Sequence, residues 1–187
     1  EPLGWEVWVC EGTYRPDENP QYPDGDGDQE KSFLAKSHVW VYGGFDGSED
    51  YRRQRDPLTN ITILSADLDE NDNPEEDDPW YLNYGYNSYH VIDGRQATNA
   101  RFDGFTIVGG NAYRPSMELI PDQHGGGAIT DSGVYYINCI FKYNRAVENG
   151  GAISSYNVGG VMVYNCSFFL NSAKEGGAIY AHGSQQA

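Results

Sequence analysis

Two stretches of this 187-residue chain concentrate oxygen ligands at spacings that suit a hard cation. Asp24, Asp26 and Asp28 alternate with other residues and lead to Glu30. Asp67, Asp69, Asn71 and Asn73 alternate in the same way and run on into Glu75, Glu76, Asp77 and Asp78. Alternating carboxylates and amides can wrap Ca²⁺, which prefers a shell of oxygens. Neither stretch is an EF-hand, since Gln29 takes the place of the turn glycine and Ala35 that of the closing glutamate. Ca²⁺ is the cofactor these loops would hold. A solvated acidic loop is the competing reading, although crowded carboxylates repel one another and gain from a cation.

Other residues point to carbohydrate. Cleavage of a polysaccharide needs carboxylates on neighbouring elements with an acid or base alongside. Asp93, Arg101 and Asp103 are the sole cluster of that kind, and a surface ion pair explains them as well, so no catalytic residue is assigned. Trp80, Tyr81, Tyr84 and Tyr86, with Tyr89 nearby, could form a stacking platform for sugar rings. The same aromatics could instead pin their loop to the protein. Asn60-Ile-Thr62 and Asn165-Cys-Ser167 match the N-glycosylation triplet, though Asn165 also suits a backbone corner. Cys10, Cys139 and Cys166 form neither a zinc pattern nor an even disulfide set. They read as small buried hydrophobes. His38, His90, His124 and His182 show no metal spacing.

The elements that carry these residues are strands. Gly (23) and Tyr (15) are abundant, helical periodicity is scarce, and short β-branched and aromatic runs are punctuated by Gly, Asn and Asp. The patterning predicts strands at 5–10, 32–35, 38–42, 60–64, 89–92 and 101–108. The net charge of −16 argues against nucleic acid and anionic membrane surfaces. No apolar run is long enough to span a bilayer as a helix, so direct membrane insertion is not expected.

Internal repetition decides the architecture. Gly-Gly-Ala-Ile occurs at Gly126–Ile129, Gly150–Ile153 and Gly176–Ile179, with offsets of 24 and 26 residues. Between the copies lie Asn138-Cys-Ile-Phe-Lys-Tyr-Asn144 and Asn165-Cys-Ser-Phe-Phe-Leu-Asn171, 27 residues apart. A more distant copy begins at Gly104. Such a period is one coil of a parallel β-helix, each coil stacked on the last at about 4.8 Å. A stack closes a core that one coil cannot. Cys139 should then lie on Cys166, Phe141 on Phe168, Asn144 on Asn171, and Ile129 on Ile153 and Ile179. The glycine pairs Gly126–Gly127, Gly150–Gly151 and Gly176–Gly177 suit tight bends. The expected fold is all-β: a right-handed parallel β-helix forming one domain over 1–187. Irregular coils with long acidic and aromatic insertions span 1–100, and regular coils of 25–27 residues span 101–187.

Gly-Gly-Ala-Ile alternating with Phe-x-x-Asn resembles the repeat pair of chlamydial polymorphic outer-membrane proteins. It is also similar to bacterial right-handed β-helix surface proteins of pectate-lyase-like fold. Segments 7–14, 33–49, 60–68, 87–91 and 102–107 resemble the opening coils of that group. The resemblance implies a secreted or cell-surface protein with a structural or adhesive role, and both ends read as internal to a longer chain. The partners it implies are surface glycans or proteins, or the chain itself. The alternatives are a subunit of an extracellular filament built by end-to-end stacking, and a polysaccharide lyase or hydrolase.

Overall fold

The computed structural model describes residues 4–72, 84–113, 123–131, 133–156 and 160–183. The strands fall into five successive coils. The first holds β1 (Trp5–Cys10), β2 (Gly12–Tyr14) and β3 (Phe33–Leu34). The second holds β4 (Val39–Phe45), β5 (Thr62–Ser65) and β6 (Ile92–Gly94). The third holds β7 (Ala100–Asp103), β8 (Thr106–Val108), β9 (Asn111–Ala112) and β10 (Ala128–Thr130). The fourth holds β11 (Val134–Ile137), β12 (Ile140–Lys142), β13 (Arg145–Ala146) and β14 (Ile153–Ser155). The fifth holds β15 (Met162–Tyr164), β16 (Ser167–Phe169) and β17 (Ile179–Ala181).

Like strands of successive coils pair in parallel. Sheet one is β1-β4-β7-β11-β15, sheet two is β2-β5-β8-β12-β16, and sheet three is β3-β6-β10-β14-β17. A short β9–β13 pair fills the arc between sheets two and three. This is the parallel β-helix that the repeat requires.

Side-chain alternation explains which residues line the bore. Sheet one contributes the column Val7–Val41–Phe102–Tyr136–Val163. Sheet two contributes Tyr14–Leu64–Ile107–Phe141–Phe168. Sheet three contributes Phe33–Ile92–Ala128–Ile153–Ile179. The middle members of these columns form one contiguous buried core. Aromatic rings also stack along the axis, Phe141 on Phe168 at 5.3 Å and Phe102 on Tyr136 at 6.0 Å. Each such buried side chain stabilises the fold by roughly 1.5–3 kcal/mol.

The corners recur at fixed places. A left-handed residue precedes sheet one in four coils, at His38, Asn99, Gly133 and Gly160. Gly104, Asn138 and Asn165 turn the chain between sheets one and two, with φ of 85°, 51° and 50°. Gly109, Tyr143 and Leu170 do so after sheet two, and Gly125, Gly150 and Gly176 before sheet three. Asn and Gly tolerate this conformation best. Next to Tyr143 and Leu170 stand Asn144 and Asn171, whose amides run along the axis. Asn144 Nδ2 donates to Ile107 O and to Asn171 Oδ1, both at 3.0 Å, and Gly110 N donates to Asn144 Oδ1 at 3.0 Å. Gly110 caps this column because a Cβ there would sit 1.8 Å from the Gly126 carbonyl oxygen.

Five sequence expectations need correction. Ile129 does not lie on Ile153; Ala128 does, and Ile129 pairs with Ser154. The left-handed glycine of the first copy is Gly125, so Gly125-Gly126-Gly127-Ala128 aligns with Gly150-Gly151-Ala152-Ile153. Cys10 is exposed rather than buried, because it ends β1 after a register break between Trp8 and Cys10 on a coil covered from one side. The run 101–108 is two strands, broken at Gly104. The strand expected at 89–92 begins only at Ile92. Before it, Tyr89 N and Val91 N bond the carbonyls of Gln29 and Gly126 outside any strand. By contrast, β1 spans the residues the pattern predicts.

The asparagine column gives a direct test. Asn144→Ala removes the side-chain partner of Gly110 N and Ile107 O at a fully buried site. It is expected to cost about 2–4 kcal/mol, read as a drop in the urea midpoint. A loss below about 0.5 kcal/mol would show that the column is not a stabilising element.

Candidate functional site

The outer face of sheet one is built from the residues that alternate with the bore. They form two columns, Glu6–Trp40–Arg101–Tyr135–Met162 and Trp8–Tyr42–Asp103–Ile137–Tyr164. Arg101 lies between two rings, 5.0 Å from that of Trp40 and 6.0 Å from that of Tyr135. Its cation is attracted to both ring faces. Trp8 stacks on Phe45 at 4.8 Å, and Met162 and Tyr164 extend the face outward on the last coil, both exposed.

A basic turn overlies one end of this face. The loop between β4 and β5 contains a 3-10 turn, Arg52–Gln54, closed by Gln54 Oε1 accepting from Tyr51 N at 2.7 Å. Asp46, Glu49 and Asp56 accept further N–H groups and hold the loop in shape. The Thr59 hydroxyl and the Leu58 N–H keep the Asp56 carboxyl below its ordinary pKa. Arg55 fastens the turn to the coils. Its Nη1 donates to Gly43 O at 2.9 Å and Asp103 O at 2.8 Å, and its Nη2 pairs with Asp103 Oδ1 at 2.5 Å. Both side chains of this pair are largely buried. The guanidinium groups of Arg52 and Arg55 flank the Tyr42 ring at 4.7 and 5.2 Å. Arg52 also pairs with Glu6. Arg53 is exposed and lies over the Tyr51 ring at 5.4 Å.

Between this turn and the corner joining sheets one and two runs a groove of about 500 Å³. Asn138 and Asn165 form its floor, with Thr106, Ile140 and Ser167 beside them. Asn165 Nδ2 donates to Asn138 Oδ1 at 2.7 Å, and Asn138 Nδ2 donates to Asp103 Oδ1 at 2.9 Å. The Asn165 of the glycosylation triplet therefore serves as a corner and a ladder member. Asn60 is half-buried at the foot of the same loop.

The other sequence candidates are placed differently. Asp24, Asp26 and Asp28 are exposed. Asp26 and Asp28 accept backbone N–H groups of Asp28 and Glu30, and Lys31 pairs with Asp26, holding its carboxyl below the ordinary range. The loop winds around buried Asp17, whose Oδ2 accepts from Asp26 N and Gly27 N. Asp67 accepts from Asn71 N and Asp72 N, and burial pushes its carboxyl up. Asn71 Nδ2 donates to Asp69 Oδ2. Arg15 donates to Asp67 O and pairs with Glu70, so a guanidinium stands within the loop. Among the described residues no three acidic, histidine or cysteine groups are arranged around one ion position. Asn73, Trp80 and Tyr81 lie outside the described residues. Tyr84 is half-buried and donates to Tyr143 O at 3.2 Å, which ties it to the coil, whereas Tyr86 is exposed. Burial raises the Tyr84 hydroxyl far above the ordinary phenol range.

Arg101 and Asp103 share the outer face of sheet one, but Asp93 is not brought to them. Asp93 sits on sheet three in a two-point pair with Arg95, at 3.0 and 2.7 Å. Burial opposes its ionisation but Arg95 prevails and holds the carboxyl below the ordinary range. Asp103 serves Arg55, and Arg101 serves the aromatic face. Cys139 and Cys166 are free thiols stacked one coil apart, with Cys139 N donating to Cys166 Sγ at 3.4 Å. Burial pushes the Cys139 thiol well up, which makes it inert.

Sequence reasoning passed over Arg52, Arg53 and Arg55, and it did not see the face formed by Trp40, Tyr135, Met162 and Tyr164. Two signals were present. Val39-Trp-Val-Tyr42 alternates with period two, and three arginines in four residues stand out in a chain of 12 basic residues.

A β-helix carrying an aromatic outer face and a basic turn is thus the class that fold and site define. Residues 138–156 and 165–182 match the Chlamydia polymorphic membrane protein repeat. These segments are the fourth and fifth coils from the asparagine corner to sheet three. No curated protein and no solved structure matches the chain.

Arg55→Met tests how the turn is held. It strands the Asp103 carboxylate in a buried site, with an expected loss of about 3–5 kcal/mol. The double variant Arg55→Met/Asp103→Leu is expected to recover most of it. Equal losses in the single and double variants would show that the turn does not depend on the ion pair.

Proposed function

We propose that this chain is a segment of a cell-surface β-helix protein that acts as an adhesive scaffold, with the outer face of sheet one as its contact surface. The observation that carries this reading is that face. Trp8, Trp40, Tyr135, Met162 and Tyr164 share one side of the stack with Arg52, Arg53 and Arg101. Aromatic residues, Met and Arg are the residue types enriched where proteins meet partners. The repeat match supports a surface location, because that repeat belongs to outer-membrane surface proteins. A rigid stack suits the role, since the core fixes the spacing of the exposed columns and loops supply variety.

The filament reading draws on the outer edges of β1–β3 and β15–β17, which carry no further strand among the described residues. Additional coils of the same chain would satisfy those edges as well as a second copy would. The polysaccharide-cleaving reading draws on Asp93, Arg101 and Asp103, of which Asp93 and Asp103 lie on different sheets.

The adhesive reading is tested with beads coated by the chain and applied to a cell monolayer. Met162→Ser/Tyr164→Ser is expected to cut bead retention several-fold while leaving the melting temperature within about 2 °C, since both side chains are exposed and touch no core. Retention equal to wild type would remove this face as the contact surface, and no retention of wild-type beads would sink the adhesive role.

A further inference from the structure

We infer that the groove between the basic turn and the asparagine corner binds an acidic saccharide, one bearing carboxylate or sulfate groups on hydroxylated rings. This rests on the adhesive reading and names a ligand class for it.

Charge is the first argument. The chain carries −16 overall, yet Arg52, Arg53 and Arg55 occur within four residues on one turn. An anion is repelled by most of the surface and attracted here. The three arginines are not equivalent. Arg55 is consumed by Asp103 and two carbonyls. Arg52 is shared between Glu6 and the Tyr42 hydroxyl. Arg53 is exposed, makes no ion pair with any described residue, and is held over the Tyr51 ring. Its planar fork remains able to take a carboxylate or sulfate through two parallel bonds.

The groove supplies the second argument. Its lining sets the apolar surfaces of Pro57, Leu58 and Ile140 beside the amides and hydroxyls of Asn138, Asn165, Thr106 and Ser167. The amides and hydroxyls exchange hydrogen bonds with ring hydroxyls. The two amides stand one coil rise apart, about 4.8 Å, close to the length of one sugar unit in a linear glycan, while Ile140 separates the Thr106 and Ser167 hydroxyls by two coils. The volume of about 500 Å³ admits a short saccharide. Tyr51 lies outside the groove, on the adjoining hollow it shares with Arg52 and Arg53, where its exposed ring carries Arg53 on one face. The one carboxylate on the loop side of the groove, Asp56, is already engaged by Leu58 N and Thr59 Oγ1.

The test is binding of the intact chain to immobilised heparin, polygalacturonate, dextran and poly-glutamate at rising salt. The expected result is salt-sensitive binding to heparin, polygalacturonate or both, with dextran not bound and poly-glutamate much weaker. Arg53→Gln is expected to bind about tenfold more weakly, the factor carried by one charge-assisted hydrogen bond. It should melt with wild type because Arg53 is exposed and its contact is with the equally exposed Tyr51 ring. Lys174→Gln, on another part of the surface, should bind as wild type. Equal binding by Arg53→Gln, or binding to dextran as strong as to the acidic glycans, overturns the proposal. Poly-glutamate binding as tightly as the glycans also overturns it, leaving an anion site without saccharide selectivity. Bead adhesion in the same preparations separates the two readings: adhesion that persists without any acidic-glycan binding removes this site but keeps the adhesive role.

Discussion

The in-register stacking of one coil on the next is the constraint from which the rest of the structure follows. A strand of two to seven residues satisfies few of its own backbone groups, and its partners lie one coil away. The chain must therefore turn at the same place in every coil, or the ladder breaks. That is why left-handed residues line up as Gly104–Asn138–Asn165 and Gly125–Gly150–Gly176. Where the corner falls on Tyr143 and Leu170, the conformation costs roughly 1–2 kcal/mol per residue. The neighbouring Asn144 and Asn171 amides offset it with bonds to main-chain groups on both sides. The same register puts Phe141 on Phe168 inside and Tyr135 on Met162 outside, so core and surface face are two consequences of one repeat.

The period, the fold class and most bore residues were legible in the sequence because they recur. Asn138 to Asn144 and Asn165 to Asn171 carry the corner, the thiol, the inward phenylalanine and the amide column in one readable string. The misread register at Ile129 has a physical source. Gly125, Gly126 and Gly127 allow two alignments with the later glycine pairs, and identity of the following Ala-Ile favours the wrong one. The backbone chooses by the left-handed glycine, since a Cβ at Gly125 would lie 2.3 Å from the Ala128 carbonyl oxygen. A one-residue shift exchanges inner and outer faces, which is why Ala128 rather than Ile129 completes the interior column.

The candidate site was less legible because it depends on contacts between distant segments. Arg55 and Asp103 are 48 residues apart and meet only when the second and third coils stack. Arg15 reaches Asp67 across 52 residues. Local spacing marked the acidic loops as candidate cation sites; in the fold Asp17, Asp26, Asp28 and Asp67 accept neighbouring N–H groups, with Lys31 and Arg15 beside them. The aromatic candidates divide by the same rule: Tyr84 finds a carbonyl on the coil and becomes an anchor, and Tyr86 stays exposed.

The placement of the arginines ties stability to recognition. Burying Arg55 against Asp103 is weak evidence for stability in itself, because desolvation of both ions offsets much of their attraction. What the pair secures is position. It fixes the turn over Tyr42, and Tyr42 in turn orients Arg52 from the face of its ring. With two guanidinium groups committed in this way, the third is presented at a defined distance from the Asn138–Asn165 ladder instead of sweeping a wide volume. A cation held by its own scaffold loses less entropy on meeting an anion than a free surface lysine would. In a strongly acidic chain, that pre-ordering acts on the guanidinium that makes no ion pair with any described residue.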